Sequence, residues 1–201
     1  MSVESAPSRL SLVMHQVPED VFEPEFVPEA PFVQFEAYAD DARLFGWVRL
    51  DADRLTDLLN DHDELQLFHV EIESLLDGRT ETADEVTVRR DELVAVHVGG
   101  PRGRQGERRR TRKYAAAVQT RHYLVGGYVH APVGSDVRRS VTERPPMIPL
   151  TDAWIEYWSG GRRKRQWVGT IVVNRELADS WRFVPDEDLA FGRLRPAVPP
   201  A

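Results

Sequence analysis

Two runs of arginine are the residues of this chain best suited to chemistry. Arg102, Arg104, Arg108, Arg109, Arg110, Arg112 and Lys113 fall in one short connector, and Arg162, Arg163, Lys164 and Arg165 fall at the tip of an expected hairpin. A guanidinium presents a planar fork of donors that grips phosphate or carboxylate with two bonds at once. Such runs suit an RNA, DNA or acidic-protein partner. They also suit a solvated linker, a charged hairpin, or a dock for an acidic segment of the same chain. Trp154 and Trp158 come next. If Ala153, Ile155 and Tyr157 face a core, alternation turns Asp152, Trp154, Glu156 and Trp158 the other way. Two tryptophans on such a face need a cover. An interface between halves or subunits is favoured over a platform on which bases stack beside the arginines. The candidate binding residues are therefore Arg108, Arg109, Arg110, Arg112, Arg162, Arg163, Arg165, Trp154 and Trp158.

Other chemistry finds little support. Asp61-His62-Asp63-Glu64 and the His69/Glu71/Glu73 face hold metal-capable groups, but their spacing matches no zinc or di-metal pattern. Gly99-Gly100-Pro101 lacks the strand, spacing and lysine of a phosphate loop. There is no Gly-x-Ser-x-Gly elbow, and the absence of cysteine excludes a thiol nucleophile, a disulfide framework and a thiolate metal site. The expectation is a protein without catalysis, cofactor or metal.

Charge narrows the partners. The net charge of −7 disfavours general nucleic-acid binding, because phosphate rewards a basic surface. Only Lys113 and Lys164 are lysine among 26 basic residues, a bias that reflects a GC-rich genome better than a function. No apolar run approaches the length of a membrane span, and Met1-Ser2-Val3-Glu4-Ser5-Ala6-Pro7 is no signal peptide, so a cytoplasmic protein is expected.

The elements that must position these residues occur twice. Gly46-Trp47-Val48, Ile72-Glu73 and Val86-Thr87-Val88 are echoed by Gly127-Tyr128-Val129, Ile155-Glu156 and Val172-Val173. The offset drifts from 81 to about 85 residues, which small loop insertions explain. In the first copy, Leu44 to Leu50 is a strand. Leu55, Leu58 and Leu59 have helical spacing with Asp51 or Asp53 as cap, and Phe68, Val70 and Ile72 alternate as a second strand. Val86 to Val88 and Leu93 to Val98 add two more. In the second copy, Gly127 to His130, Thr151 to Trp158, Gln166 to Val173 and Trp181 to Val184 are strands, with a weaker helical turn at Asp136 to Val141. Residues 101–122 form a basic linker in which Tyr114 to Tyr123 is either helix or the opening strand of copy two. Before the repeats, residues 1–41 carry no basic residue between Arg9 and Arg43, and Pro18, Pro24, Pro28 and Pro31 argue against a helix interior or a central strand. Val21, Phe22, Phe26, Phe32 and Phe35 make this acidic arm one that docks, on its own domain or on a partner. Residues 186–201 are expected to be a disordered tail.

Strand, helical turn and three strands in about 55 residues suits a small bent barrel. The order resembles Sm-like and PilZ-like bacterial β-barrels across Leu44 to Val184. The Sm-like resemblance implies ring assembly and RNA binding. Arg108 to Arg112 has the first PilZ spacing, but no Asp-x-Ser-x-x-Gly follows, so a cyclic dinucleotide ligand is not carried over. The expected fold is mainly β: two tandem homologous small barrel-like units, 42–100 and 123–185, packed about a pseudo-two-fold axis. The expected role is an interaction or assembly module that self-associates or binds a protein, with nucleic-acid or nucleotide binding as the alternative and no membrane contact.

Overall fold

The computed structural model of the protein describes residues 29–99 and 110–190. Most of the acidic arm, the connector containing Arg108 and Arg109, and the last residues of the tail lie outside them. The described chain is mainly β, with ten antiparallel strands in one sheet and three short helices. The first half runs β1 (Phe32–Tyr38), β2 (Ala42–Arg49), α1 (Leu55–Asp61), β3 (Glu64–Ser74), β4 (Thr80–Arg89) and β5 (Ala95–Val98). The second runs β6 (Thr111–Gln119), β7 (Tyr123–Pro132), α2 (Val137–Thr142), β8 (Met147–Ser159), β9 (Arg162–Asn174) and β10 (Ser180–Phe183), then α3 (Asp186–Ala190). A 3-10 turn precedes the last strand in each half, at Arg90–Glu92 and Arg175–Leu177. Among the described residues no helix is long and apolar enough to cross a membrane.

The sheet order is β10-β6-β7-β8-β9-β5-β1-β2-β3-β4. Each half thus has its fifth strand beside its first, and β9 joins β5 to make one continuous sheet. This departs from the sequence expectation: the sheet is open, with β10 and β4 as its edges, and neither half closes into a barrel. Three segments also fall differently. Prolines stop at Pro31, whose carbonyl accepts from the Leu50 amide at 2.8 Å. The next residues alternate, burying Val33, Phe35 and Ala37, and form a mid-sheet strand where the arm was expected. β6 occupies the expected linker, its three small alanines buried. α3 stands at the start of the expected tail.

Local chemistry accounts for most elements. Leu55, Leu58 and Leu59 bury one stripe of α1, although its N-cap is Arg54 and no side chain caps it, Asp51 and Asp53 included. Asn60 ties this helix to the second half, donating to the Met147 carbonyl at 3.1 Å and accepting from the Met147 amide at 3.0 Å. The weaker turn of the second half is a helix, with the Asp136 carboxylate accepting from the Arg138 amide. Both halves carry a register shift between second and third strands, after Phe45 and after Gly126. At each stands a residue with left-handed backbone, His69 (φ 51°) and Asp152 (φ 49°). Non-glycine residues adopt that conformation rarely, so the two bulges mark the same bend.

The core is divided between the two sides of the sheet. Alternate residues of a strand point to opposite faces. Met147 and Val172 pack with Phe35, Leu59 and Leu67 in one cluster, while Ile148, Ile171 and Val173 pack with Val125 and Ile155 in another. Where the halves meet, β1, β5, β8 and β9 therefore each serve both cores.

Candidate interaction surfaces

The two arginine runs lie apart. Arg112 is opposite Ala131 at one end of β7, and Arg163 is opposite Trp158 at the other end of β8. The separation is eight or more strand residues, roughly 30 Å. Most of the β9 run is already engaged. Arg163 bonds Glu156 at 2.6 Å, Lys164 bonds Glu73 at 2.9 Å, and the Arg165 guanidinium lies 3.8 Å from the centre of the Trp154 ring. Arg162 is exposed at the hairpin tip. Arg110, just before β6, and Arg112 on it are exposed, Arg112 sits over Tyr114, and Lys113 is held by Asp152 at 2.8 Å.

Trp154 is not available to any partner. Its side chain is fully buried with Ala115, Ala117, Leu124 and Leu189 of α3, so the cover that the sequence demanded comes from the chain's own end. Trp158 is 43% exposed and Trp167, which sequence reasoning passed over, 64%.

The sheet edges are the surfaces that sequence reasoning missed. Inside the chain, β9 meets β5 with Val173 opposite Ala95, Val172 opposite Val96 and Ile171 opposite His97. Superposing the halves by strand register makes Val88 the counterpart of Val173, since these face Leu65 and Ile148. It makes Ser180 the counterpart of Ala95, since these face Gln119 and Tyr38. β4 and β10, the sheet edges among the described residues, are thus the counterparts of the two strands that already pair internally. They differ in charge: β4 exposes Glu81, Asp84 and Glu85 along its length, with Arg89 at its end paired to Asp91, and β10 exposes Arg182. No motif could have revealed this, because it depends on strand order.

A buried ionic network braces the joint between the halves. Arg43 donates to Glu36 at 2.8 Å and to Glu73 at 2.7 Å, with its guanidinium against the rings of Tyr38, Phe45 and Tyr157. Glu73 also accepts from Lys164 and from Ser159 at 2.8 Å, both in the second half. Burial pushes the Glu36 carboxyl up, but hydrogen bonds with His97, Arg43 and Tyr38, together with the Arg43 charge, outweigh it and bring the group down to about 2. Burial and the Glu36 charge push the Tyr38 hydroxyl up, keeping it a donor. Because the folded carboxyl lies below its unfolded value of 4.5, its stabilisation is present above that value and lost as pH falls towards 2. Urea unfolding is expected to show about 2 kcal/mol less stability at pH 3 than at pH 7 from this group alone. Glu36→Gln should lose correspondingly less over the same interval; an identical loss would remove Glu36 as the cause.

Comparison with protein-family models, curated proteins and solved structures found no match to this chain.

Proposed function

We propose that this protein is a non-catalytic assembly module that associates with copies of itself, head to tail, by pairing β4 of one molecule with β10 of the next. The observation that carries the reading is the internal joint. The chain already makes this pairing once, between β9 and β5, and among the described residues the counterpart strands are the two edges of the sheet. On this reading the two halves are copies of one five-stranded unit, and a second molecule continues the series. A free edge offers unpaired amides and carbonyls to any matching strand. Opposite charge selects the partner edge, because like edges would set β4 carboxylates against each other. Joining unlike edges makes a heterologous interface, which closes into a ring or runs on as a filament. The register of the internal joint would set Arg182 opposite Val86 of the neighbour and diagonal to its Asp84, within reach of a long side chain.

Light scattering behind size exclusion tests this directly. The full chain should exceed its monomer mass of 23.0 kDa, with a mass that rises with concentration and does not stop at a dimer. Arg182→Glu should return it to the monomer. Adding Asp84→Arg to that variant should restore assembly, while far-UV dichroism stays unchanged in all three. A full chain that remains monomeric at several hundred micromolar, or an assembly indifferent to the charge reversal, would overturn the proposal.

A further inference from the structure

Beside the bulge the two halves place different side chains, and only the second is packed solid there. In the second half Ala115, Ala117 and Gly126 leave room for the Trp154 indole. A Cβ at Gly126 would overlap that ring, and Leu189 closes the niche from above. Strand registers put Gln34, Glu36, Phe45 and Glu71 at the corresponding positions of the first half. Phe45 thus carries a ring where Gly126 leaves room, and Glu71 stands where the second half has Trp154. What remains is a cavity of about 360 Å³, walled also by Trp47, His69 and His97.

We infer that this open niche binds a guanidinium group carried on a peptide of a partner protein. Its walls supply what a planar cation needs. Trp47 is 40% exposed and offers its ring, beside Phe45, whose ring already carries the Arg43 guanidinium. A cation over such a face is attracted by the ring quadrupole. Glu71 is exposed on the cavity wall and takes no hydrogen bond from the described residues, so its carboxylate is open to a fork of donors. Glu36 already accepts from Tyr38 and Arg43 and contacts His97. It therefore adds negative potential without offering a free oxygen. The chain itself shows the preferred stack: Arg165 lies over Trp154 in one niche, and Arg43 lies 4.5 Å from the Phe45 ring at the margin of the other. The volume is near the lower limit for ligand pockets, which suits one side-chain head and not a larger molecule. An anion would face two carboxylates, and a neutral aromatic ring would leave the Glu71 charge unpaired beneath it.

The test titrates Nα-acetyl-arginine amide into the isotope-labelled full chain and follows the Trp47 indole and Gly46 amide signals by NMR. Saturable shifts are expected with a dissociation constant of roughly 1–10 mM, as befits one side chain binding alone. They should weaken with added salt. Nα-acetyl-citrulline amide, which has the shape without the charge, should produce no saturable shift. Glu71→Gln should weaken arginine binding at least threefold while leaving the rest of the spectrum in place, since Glu71 is a surface residue. Equal binding of citrulline, saturation by Nα-acetyl-tryptophan amide instead, or unchanged affinity in Glu71→Gln would each overturn the inference. Trp47 and Glu71 lie off the β4 and β10 edges, and repeating the titration on Arg182→Glu makes its outcome independent of the head-to-tail pairing.

Discussion

Trp154→Ala is expected to lower the unfolding free energy by about 4 kcal/mol, the cost of removing a fully buried large aromatic ring. Two contributions add. The indole leaves a hole between Ala115, Ala117 and Leu124 that rigid strands do not collapse to fill, and Leu189 loses the surface on which it sits. The indole nitrogen has no hydrogen-bond partner among the described residues, so its burial is imperfect. Trp154→Phe, which discards that nitrogen and keeps most of the ring, should therefore cost far less than alanine. Gly126→Ala should be destabilising by about 1–3 kcal/mol for the opposite reason, because its methyl invades the ring. Combined with Trp154→Ala, that methyl enters vacated space. The double variant should then be clearly more stable than the sum of the two single losses predicts. Urea unfolding followed by dichroism measures all four. Strict additivity would show that ring and glycine are not packed as the structure has them.

Arg43→Leu should cost about 3–5 kcal/mol, because it strands two carboxylates that the guanidinium now bridges. The side chain is 9% exposed, so water cannot take over its role. Arg43→Lys keeps the charge but cannot reach both partners with one planar fork, and it should fall between leucine and wild type. The second half suggests the rescue. There the counterparts of Arg43 and Glu36 are Leu124 and Ala117, both buried among apolar neighbours. Glu36→Ala placed beside Arg43→Leu should recover about half of the loss, since Glu73 retains Lys164 and Ser159. A double variant less stable than Arg43→Leu alone would show that the penalty does not come from an uncompensated Glu36.

These two sites show what the sequence discloses and what it hides. The alternation of Phe68, Val70 and Ile72 and the spacing of Leu55, Leu58 and Leu59 placed β3 and α1, because one buried face imposes its period on local sequence. Trp154 was recognised as needing a cover. The cover itself was invisible, since Leu189 belongs to a segment with no pattern longer than five residues. β1 was obscured by the prolines before it. β6 was ambiguous because Tyr114-Ala115-Ala116-Ala117 suits a helix as well as a crowded mid-sheet strand. Arg43, Glu36 and Glu73 stand on three strands at spacings set by loops, and nothing local announces that they meet. The joining of β9 to β5 was equally hidden, since pairing between distant strands leaves no local period. The expectation of closed barrels failed at that point: the strand that could have returned on its own unit extends the sheet instead.

This sharing of strands between the cores also dictates when the protein can become folded. Met147 and Val172 complete the apolar cluster of the first half, yet they are made late, long after β1 to β5 have been translated. Chains emerge at about 5–20 residues per second, and the domains of larger proteins usually settle in order of synthesis. Here the first half waits for the second with one flank of its core uncovered and the outer side of β5 unpaired. For several seconds of every round of translation the nascent protein displays a strand edge that its own unfinished partner is meant to cover. In a crowded polysome, where neighbouring nascent chains carry the same β9, that interval is the stage at which exchange of strands between molecules competes with correct closure.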